Sequence, residues 1–92
     1  MKRAKISSRI SFNDDEEASV VLELTNDRLI LTTTAKDVPN IEVWDRTKIT
    51  RIQVFSARDG EWFPKLTLTS GQEVTLGIPL DEAGMRKLAA AF

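Results

Sequence analysis

The sequence predicts a mainly β domain in which about seven antiparallel strands precede one C-terminal α-helix. Its 92 residues are enough for a single domain with one core. Apolar and polar residues alternate along most of the chain, which indicates strands with one buried face. Near the end the apolar spacing changes to that of an amphipathic helix. With 41% hydrophobic and 29% charged residues, the composition is that of a folded globular chain.

The first three predicted strands are separated by an acidic segment and a tight turn. A strand from Ala4 to Phe12 ends before Asn13–Glu17, where poor strand formers of like charge follow one another. The second strand covers about Ser19–Leu24. Thr25–Arg28 is a hairpin turn, since Asn and Asp tolerate left-handed backbone there. Leu29–Thr33 is the third strand.

The middle of the chain supplies two further strands. Lys36–Asn40 is expected to be a connection, because Pro39 lacks a backbone donor and marks a break. The fourth strand is Ile41–Trp44. After a short polar segment, the fifth strand covers Ile49–Phe55.

The last two strands form a hairpin. Ser56–Glu61 contains an Asp-Gly turn dipeptide, after which the sixth strand covers Trp62–Thr69. Ser70–Gln72 turns the chain into the seventh strand, Val74–Ile78. Pro64 predicts that the sixth strand begins at a sheet edge or a bulge.

The final segment is expected to be a helix over residues 81–92. Asp81 is a suitable N-cap, because its carboxylate can accept from the free N–H groups of the first turn. Four apolar residues fall at positions i, i+3, i+4 and i+7: Met85, Leu88, Ala89 and Phe92. We expect Met85, Leu88 and Phe92 to pack this helix onto the sheets.

Three segments carry a resemblance to a known family. Residues 24–31 look like the strand–turn–strand signature of bacterial pleckstrin-homology-like (PH-like, GRAM-like) domains. Residues 44–52 are similar to their entry into the next strand, and residues 66–76 match their last hairpin. The resemblance covers nearly the whole chain, so residues 1–92 would form one PH-like domain, a seven-stranded antiparallel barrel or sandwich capped by a helix. Its motifs are structural, and no binding residue is carried over from them.

An Sm-like or other small RNA-binding barrel is the alternative fold. Such barrels usually have about five strands, and Sm-like ones begin with their helix. The helix predicted here comes last, which favours the PH-like layout.

Missing residue types exclude much chemistry. The chain has no His and no Cys, which removes thiolate and imidazole zinc ligands and catalytic triads or dyads built on them. Its four glycines are too scattered for a phosphate loop. Acid–base catalysis by two carboxylates remains open on residue types alone, but the acidic residues lie mostly in predicted turns. We therefore expect no enzyme, no catalytic residue, no metal and no cofactor. No apolar run is long enough for a signal peptide or a transmembrane segment, and the lack of Cys fits a reducing, cytoplasmic location.

Charge is segregated at the N-terminus. Residues 1–12 carry four basic side chains, including Lys5 and Arg9, and four acidic ones follow in Asp14–Glu17. Lipid-binding members of the resembled family use bases around this connection, so the acidic run predicts no specific phosphoinositide binding. Lys5 and Arg9 remain candidate anion contacts. The other bases, Arg46 among them, are expected on a mixed surface, and a net charge of −1 does not favour nucleic acid as the main partner.

Three aromatic residues are candidates for partner binding: Trp44, Trp62 and Phe63. Trp62 and Phe63 are strand neighbours, so their side chains face opposite sides. Counting from Leu66 places Trp62 inward and Phe63 outward, unless a bulge at Pro64 reverses the order. We therefore expect a non-enzymatic module that binds a protein partner or forms a homo-oligomer, with Phe63 as the anchor. The alternative is a peripheral module that binds nucleic acid or an anionic membrane through its basic N-terminal strand.

Overall fold

The computed structural model describes residues 3–13 and 16–91. Within them the chain is mainly β, as expected, with seven strands in two antiparallel sheets and one α-helix near the C-terminus. The elements are β1 (Ala4–Asn13), β2 (Glu16–Leu24), β3 (Arg28–Ala35), β4 (Val38–Asp45), β5 (Ile49–Arg58), β6 (Glu61–Leu68), β7 (Glu73–Thr75) and α1 (Glu82–Ala91).

Strands adjacent in sequence are adjacent in space. The first sheet has the order β1-β2-β3-β4 and the second the order β5-β6-β7. A 3-10 turn, Arg46–Lys48, joins the two sheets. Asp45 caps this turn, since its Oδ1 accepts from the Thr47 N–H at 2.9 Å and from the Thr47 hydroxyl at 2.8 Å. β4 and β5 thus lie at neighbouring points of the chain but in different sheets.

The core lies between the inner faces of the two sheets and is closed by α1. Alternate residues of β1, β2 and β3 supply one side, and β6 with the segment before α1 supplies the other. The largest fully buried residues are Val20, Leu22, Leu24, Leu29, Pro64, Leu66, Leu76, Ile78, Leu80 and Leu88. Since side chains alternate along a strand, the residues between these core positions face outward.

The helix packs with a different face from the predicted one. Its buried residues are Gly84, Leu88 and Ala91, whereas Met85 is half-buried; Phe92 lies outside the described residues. Gly84 lies close to β1, since a Cβ there would be 3.2 Å from Oδ1 of Asp81 and 3.4 Å from Cγ2 of Ile6. The side of α1 that carries Gly84, Leu88 and Ala91 is therefore the buried one.

β4 begins earlier than predicted, at Val38 rather than Ile41. The connection is a two-residue turn, with φ of 51° at Lys36 and 63° at Asp37. Residues that flank such a turn form a hydrogen-bonded pair, here Ala35 and Val38. Bonding alternates along the strand, so the missing N–H of Pro39 faces away from β3. Pro39 is therefore compatible with the strand.

β7 ends earlier than predicted, at Thr75 instead of Ile78, and Pro64 accounts for this. Pro64 is buried within β6, opposite Val54, and its carbonyl accepts from the Leu76 N–H at 2.9 Å. Because Pro64 has no N–H, it cannot donate a hydrogen bond to Leu76, and the β6–β7 ladder ends there. The chain leaves β6 and rejoins it at Leu80, which exchanges two backbone hydrogen bonds with Trp62.

Candidate interaction surface

The three aromatic candidates do not form one surface. Trp44 lies opposite buried Leu29 on the inner face of the first sheet and packs against the core. Trp62 also packs against the core, from the second sheet. Phe63 faces outward from β6. The alternation of side chains along the strand thus placed Trp62 and Phe63 on the correct faces. Of the three aromatic candidates, only Phe63 lies on an outer face.

Phe63 has an aromatic neighbour that the sequence did not reveal. Phe55 of β5 lies directly opposite it, with ring centroids 6.2 Å apart and an interplanar angle of 30°. Phe55 is 42% exposed. Ion pairs flank the two rings: Arg58 with Glu61 at 3.2 Å, and Lys65 with Glu73. The register of β5 on β6 creates this aromatic pair, and residues eight apart in sequence give little sign of it.

A second set of exposed apolar residues lies on β4, on both faces of the strand. Val38 is 67% exposed, Ile41 59% and Val43 51%. Ile41 and Val43 face outward, beside Thr32 and Ile30 of β3. Val38, Asn40 and Glu42 have the parity of Trp44 and so face inward, yet they are exposed because the second sheet does not extend over them. Of the three exposed apolar residues, only Val38 fell in the predicted connection over residues 36–40.

A groove of about 460 Å³ runs between β5 and α1. Apolar residues line most of it: Ile52, Val54, Met85, Leu88 and Ala89. Thr50 and Arg51 complete the lining. The Met85 face of α1, predicted as core, therefore borders an open groove.

The two candidate anion contacts lie on the exposed outward face of β1, each next to an acidic residue. Lys5 is opposite Glu23 on β2, and Nη1 of Arg9 lies 3.7 Å from Oε2 of Glu17. Asp14 and Asp15, the centre of the acidic run, lie outside the described residues. Lys5 and Arg9 therefore each lie next to a carboxylate, and not together in a pocket that could bind an anion.

Arg46, predicted on the surface, is buried. Its backbone N–H donates to the Asp27 carbonyl at 2.9 Å, and its guanidinium donates to the carbonyls of Thr25 and Ala91, the latter at 3.2 Å. It therefore joins the β2–β3 turn to the end of α1. No local sequence pattern indicates these contacts, because the acceptors are backbone carbonyls far away in the chain.

Within residues 3–13 and 16–91, no cluster of three or more acidic residues is placed to hold a metal ion. In the same residues, no helix is long and apolar enough to cross a membrane. The chain matches no protein-family model, no curated protein and no solved structure.

Proposed function

We propose that this chain is a non-enzymatic interaction module that binds a protein through apolar side chains on β4 and β5. One observation carries the proposal. Among the described side chains, the exposed large hydrophobic residues are Val38, Ile41 and Val43 of β4 and Phe55 of β5. Both strands lie at the edge of their sheet. These side chains form separate groups on the two sheets, and exposed apolar side chains of this kind are typical of contact surfaces.

The backbone of the same strands supports this proposal. An edge strand leaves alternate N–H and C=O groups free to pair with another chain, and proteins usually protect such edges with charges, proline or covering loops. The outward face of β1 carries Lys5 and Arg9, and Ser8 donates to the Pro79 carbonyl at 2.7 Å. β4 has Pro39 near one end and apolar residues beyond it. Its edge is therefore less protected than that of β1.

We further propose that the two sheets and the helix form a PH-like domain that acts in the cytoplasm. The support for the family is the order of elements, four strands and then three, followed by α1. The lack of cysteine supports the location. Neither assignment is needed for the proposed contact.

The alternative function, binding of nucleic acid or an anionic membrane through β1, has weaker support. Lys5 faces Glu23, and Arg9 forms an ion pair with Glu17. These carboxylates would repel a phosphate at either base.

Sedimentation velocity at low and high salt tests the proposal. We expect association that is insensitive to salt, because apolar contacts are not screened. At least one of two double variants, Phe55→Ser with Phe63→Ser or Ile41→Ser with Val43→Ser, should weaken it by roughly 1–3 kcal/mol. The variant Lys5→Gln with Arg9→Gln is the control and should associate like the wild type. A monomer that binds DNA or anionic vesicles through Lys5 and Arg9, with a steep loss at high salt, would replace the proposal by its alternative.

A further inference from the structure

We infer that the partner of β4 is a second copy of the chain, whose own β4 pairs with it antiparallel about a two-fold axis at Ile41. This inference rests on the proposed interaction function and specifies its partner and geometry. The two four-stranded sheets would then join into one continuous sheet of eight strands.

The hydrogen-bonding groups of β4 permit this pairing. Since Val38 bonds to Ala35 of β3, bonding alternates, and Asn40, Glu42 and Trp44 also point towards β3. The N–H and C=O groups of Ile41 and Val43 then point to the open edge. Pro39 offers its carbonyl there.

An axis at Ile41 pairs compatible residues on both faces. On the outer face, Ile41 would lie opposite Ile41 of the second copy, and Pro39 opposite Val43. On the inner face, Asn40 would lie opposite Glu42, so that its amide can donate to the carboxylate. Val38, which is 67% exposed, would lie opposite Trp44 and be covered by it. About four backbone hydrogen bonds would join the strands, two at Ile41 and one at each Pro39 carbonyl.

Other two-fold registers are less favourable. An axis at Glu42 would place two carboxylates directly opposite each other, which is destabilising. An axis at Val43 would pair Ile41 with Asp45, whose side chain already caps the next turn. An axis at Asn40 would extend the pairing into the turn residue Asp37. Charge, burial and ladder length therefore all favour the axis at Ile41.

Proline and valine substitutions at Ile41 test whether the open edge is used. Ile41→Pro removes an N–H that faces away from β3, so the β3–β4 ladder is retained while both interface bonds at Ile41, one from each copy, are lost. We expect sedimentation to show at least a tenfold weaker dimer for Ile41→Pro and an unchanged dimer for Ile41→Val. Thermal unfolding checks that both variants are folded.

Single cysteines test the register without relying on the proline variant, because the chain has no cysteine of its own. Hydrogen-bonded opposite residues have Cα atoms about 5.5 Å apart, within disulfide range. Ile41→Cys should therefore form a disulfide-linked dimer on mild oxidation. Val43→Cys, equally outward-facing and similarly exposed, is the matched control. Its two copies would be roughly 14 Å apart, since four residues at about 3.4 Å each separate them along the strands.

The results separate this inference from the proposed function. A salt-insensitive dimer that survives Ile41→Pro, together with an Ile41→Cys variant that forms no disulfide link, would overturn pairing at β4, while the interaction function would stand on the Phe55–Phe63 surface. Linking through Val43→Cys alone would overturn the stated register. A wild-type chain that stays monomeric at all concentrations, with no link in the Ile41→Cys variant, would overturn the inference altogether.

Discussion

Nη2 of Arg46 donates to the carbonyl oxygen of Ala91 at 3.2 Å, across 45 positions of sequence. The same guanidinium also donates to the carbonyl of Thr25. One buried side chain thus satisfies two backbone acceptors, one in the first sheet's turn and one in the last turn of α1. The end of the helix is fixed by an ionic side chain as well as by apolar packing.

Replacement of Arg46 by Met should destabilise the fold. One buried carbonyl, of Ala91, and one partly buried carbonyl, of Thr25, would lose their donor, which predicts a loss of about 2–4 kcal/mol in the free energy of unfolding. Urea unfolding measures it. Arg51→Met, at an exposed position on β5, is the control and should change stability by less than about 0.5 kcal/mol. Equal stability of both variants would mean that the Arg46 contacts contribute nothing.

Replacement of Leu88 by Asp should be more severe. Leu88 is fully buried on the core face of α1, so the substitution places an unpaired charge in the core and predicts a loss of several kcal/mol. Ala90→Asp, on the exposed side of the same helix, should lose less than about 1 kcal/mol. Thermal melts of the two variants compare them directly, and a wild-type melt for Leu88→Asp would show that the helix is not docked.

The turn before β4 offers a stabilising substitution. Asp37 has a φ of 63°, a left-handed conformation that is unfavourable for residues with a Cβ. Asp37→Gly should therefore raise the free energy of unfolding by about 0.5–1 kcal/mol. Asp37→Ala should lower it, because Ala tolerates this conformation less well than Asp. Urea midpoints of the three proteins should follow the order Gly, Asp, Ala.

The carboxyl group of Asp45 should titrate below its ordinary range. Hydrogen bonds from the Thr47 hydroxyl and then from its backbone N–H stabilise the charged form, so the pKa of Asp45 is lowered. A lowered pKa means that this contribution to stability is present above the ordinary pKa and is lost as pH falls through the folded value. Thr47→Val should raise the pKa of Asp45 and Thr47→Ser should leave it low, as carbon NMR titration of the carboxyl group would show.

Inositol phosphates should not bind. Lys5 and Arg9 both lie beside carboxylates, and the sequence places Asp14 and Asp15 at the same connection. Calorimetric titration with inositol hexakisphosphate at low salt is the most permissive test, since low salt strengthens any attraction. Saturable binding that disappears in a Lys5→Gln, Arg9→Gln variant would contradict this expectation.

Local patterns predicted the strands well because a half-buried sheet imposes period two on the sequence. The same patterns failed where backbone geometry or distant contacts decide the outcome. Pro39 reads as a break, yet it lies in β4 because its missing N–H faces the open edge. The packed face of α1 lies against β1, where Gly84 is close to Ile6, 78 residues earlier, and helical periodicity alone cannot identify so distant a neighbour.

The candidate surface was predicted only in part, for a similar reason. Strand parity correctly placed Phe63 outward and Trp62 inward. It could not pair Phe63 with Phe55, because that contact depends on the register of two strands. Strand parity also could not show that Val38 is exposed. Its exposure on the inner face depends on how far the second sheet extends.

The contact of α1 with β1 also constrains the order in which this chain can fold. β1, β2 and β3 can pair as soon as they leave the ribosome, since each hairpin is local. The part of their inner face at Ile6 of β1 lies against Gly84 and is covered only after α1 has been synthesised, about 76 residues later. A nascent chain halted before Glu82 would therefore leave this part of the apolar face open to chaperones until α1 is made.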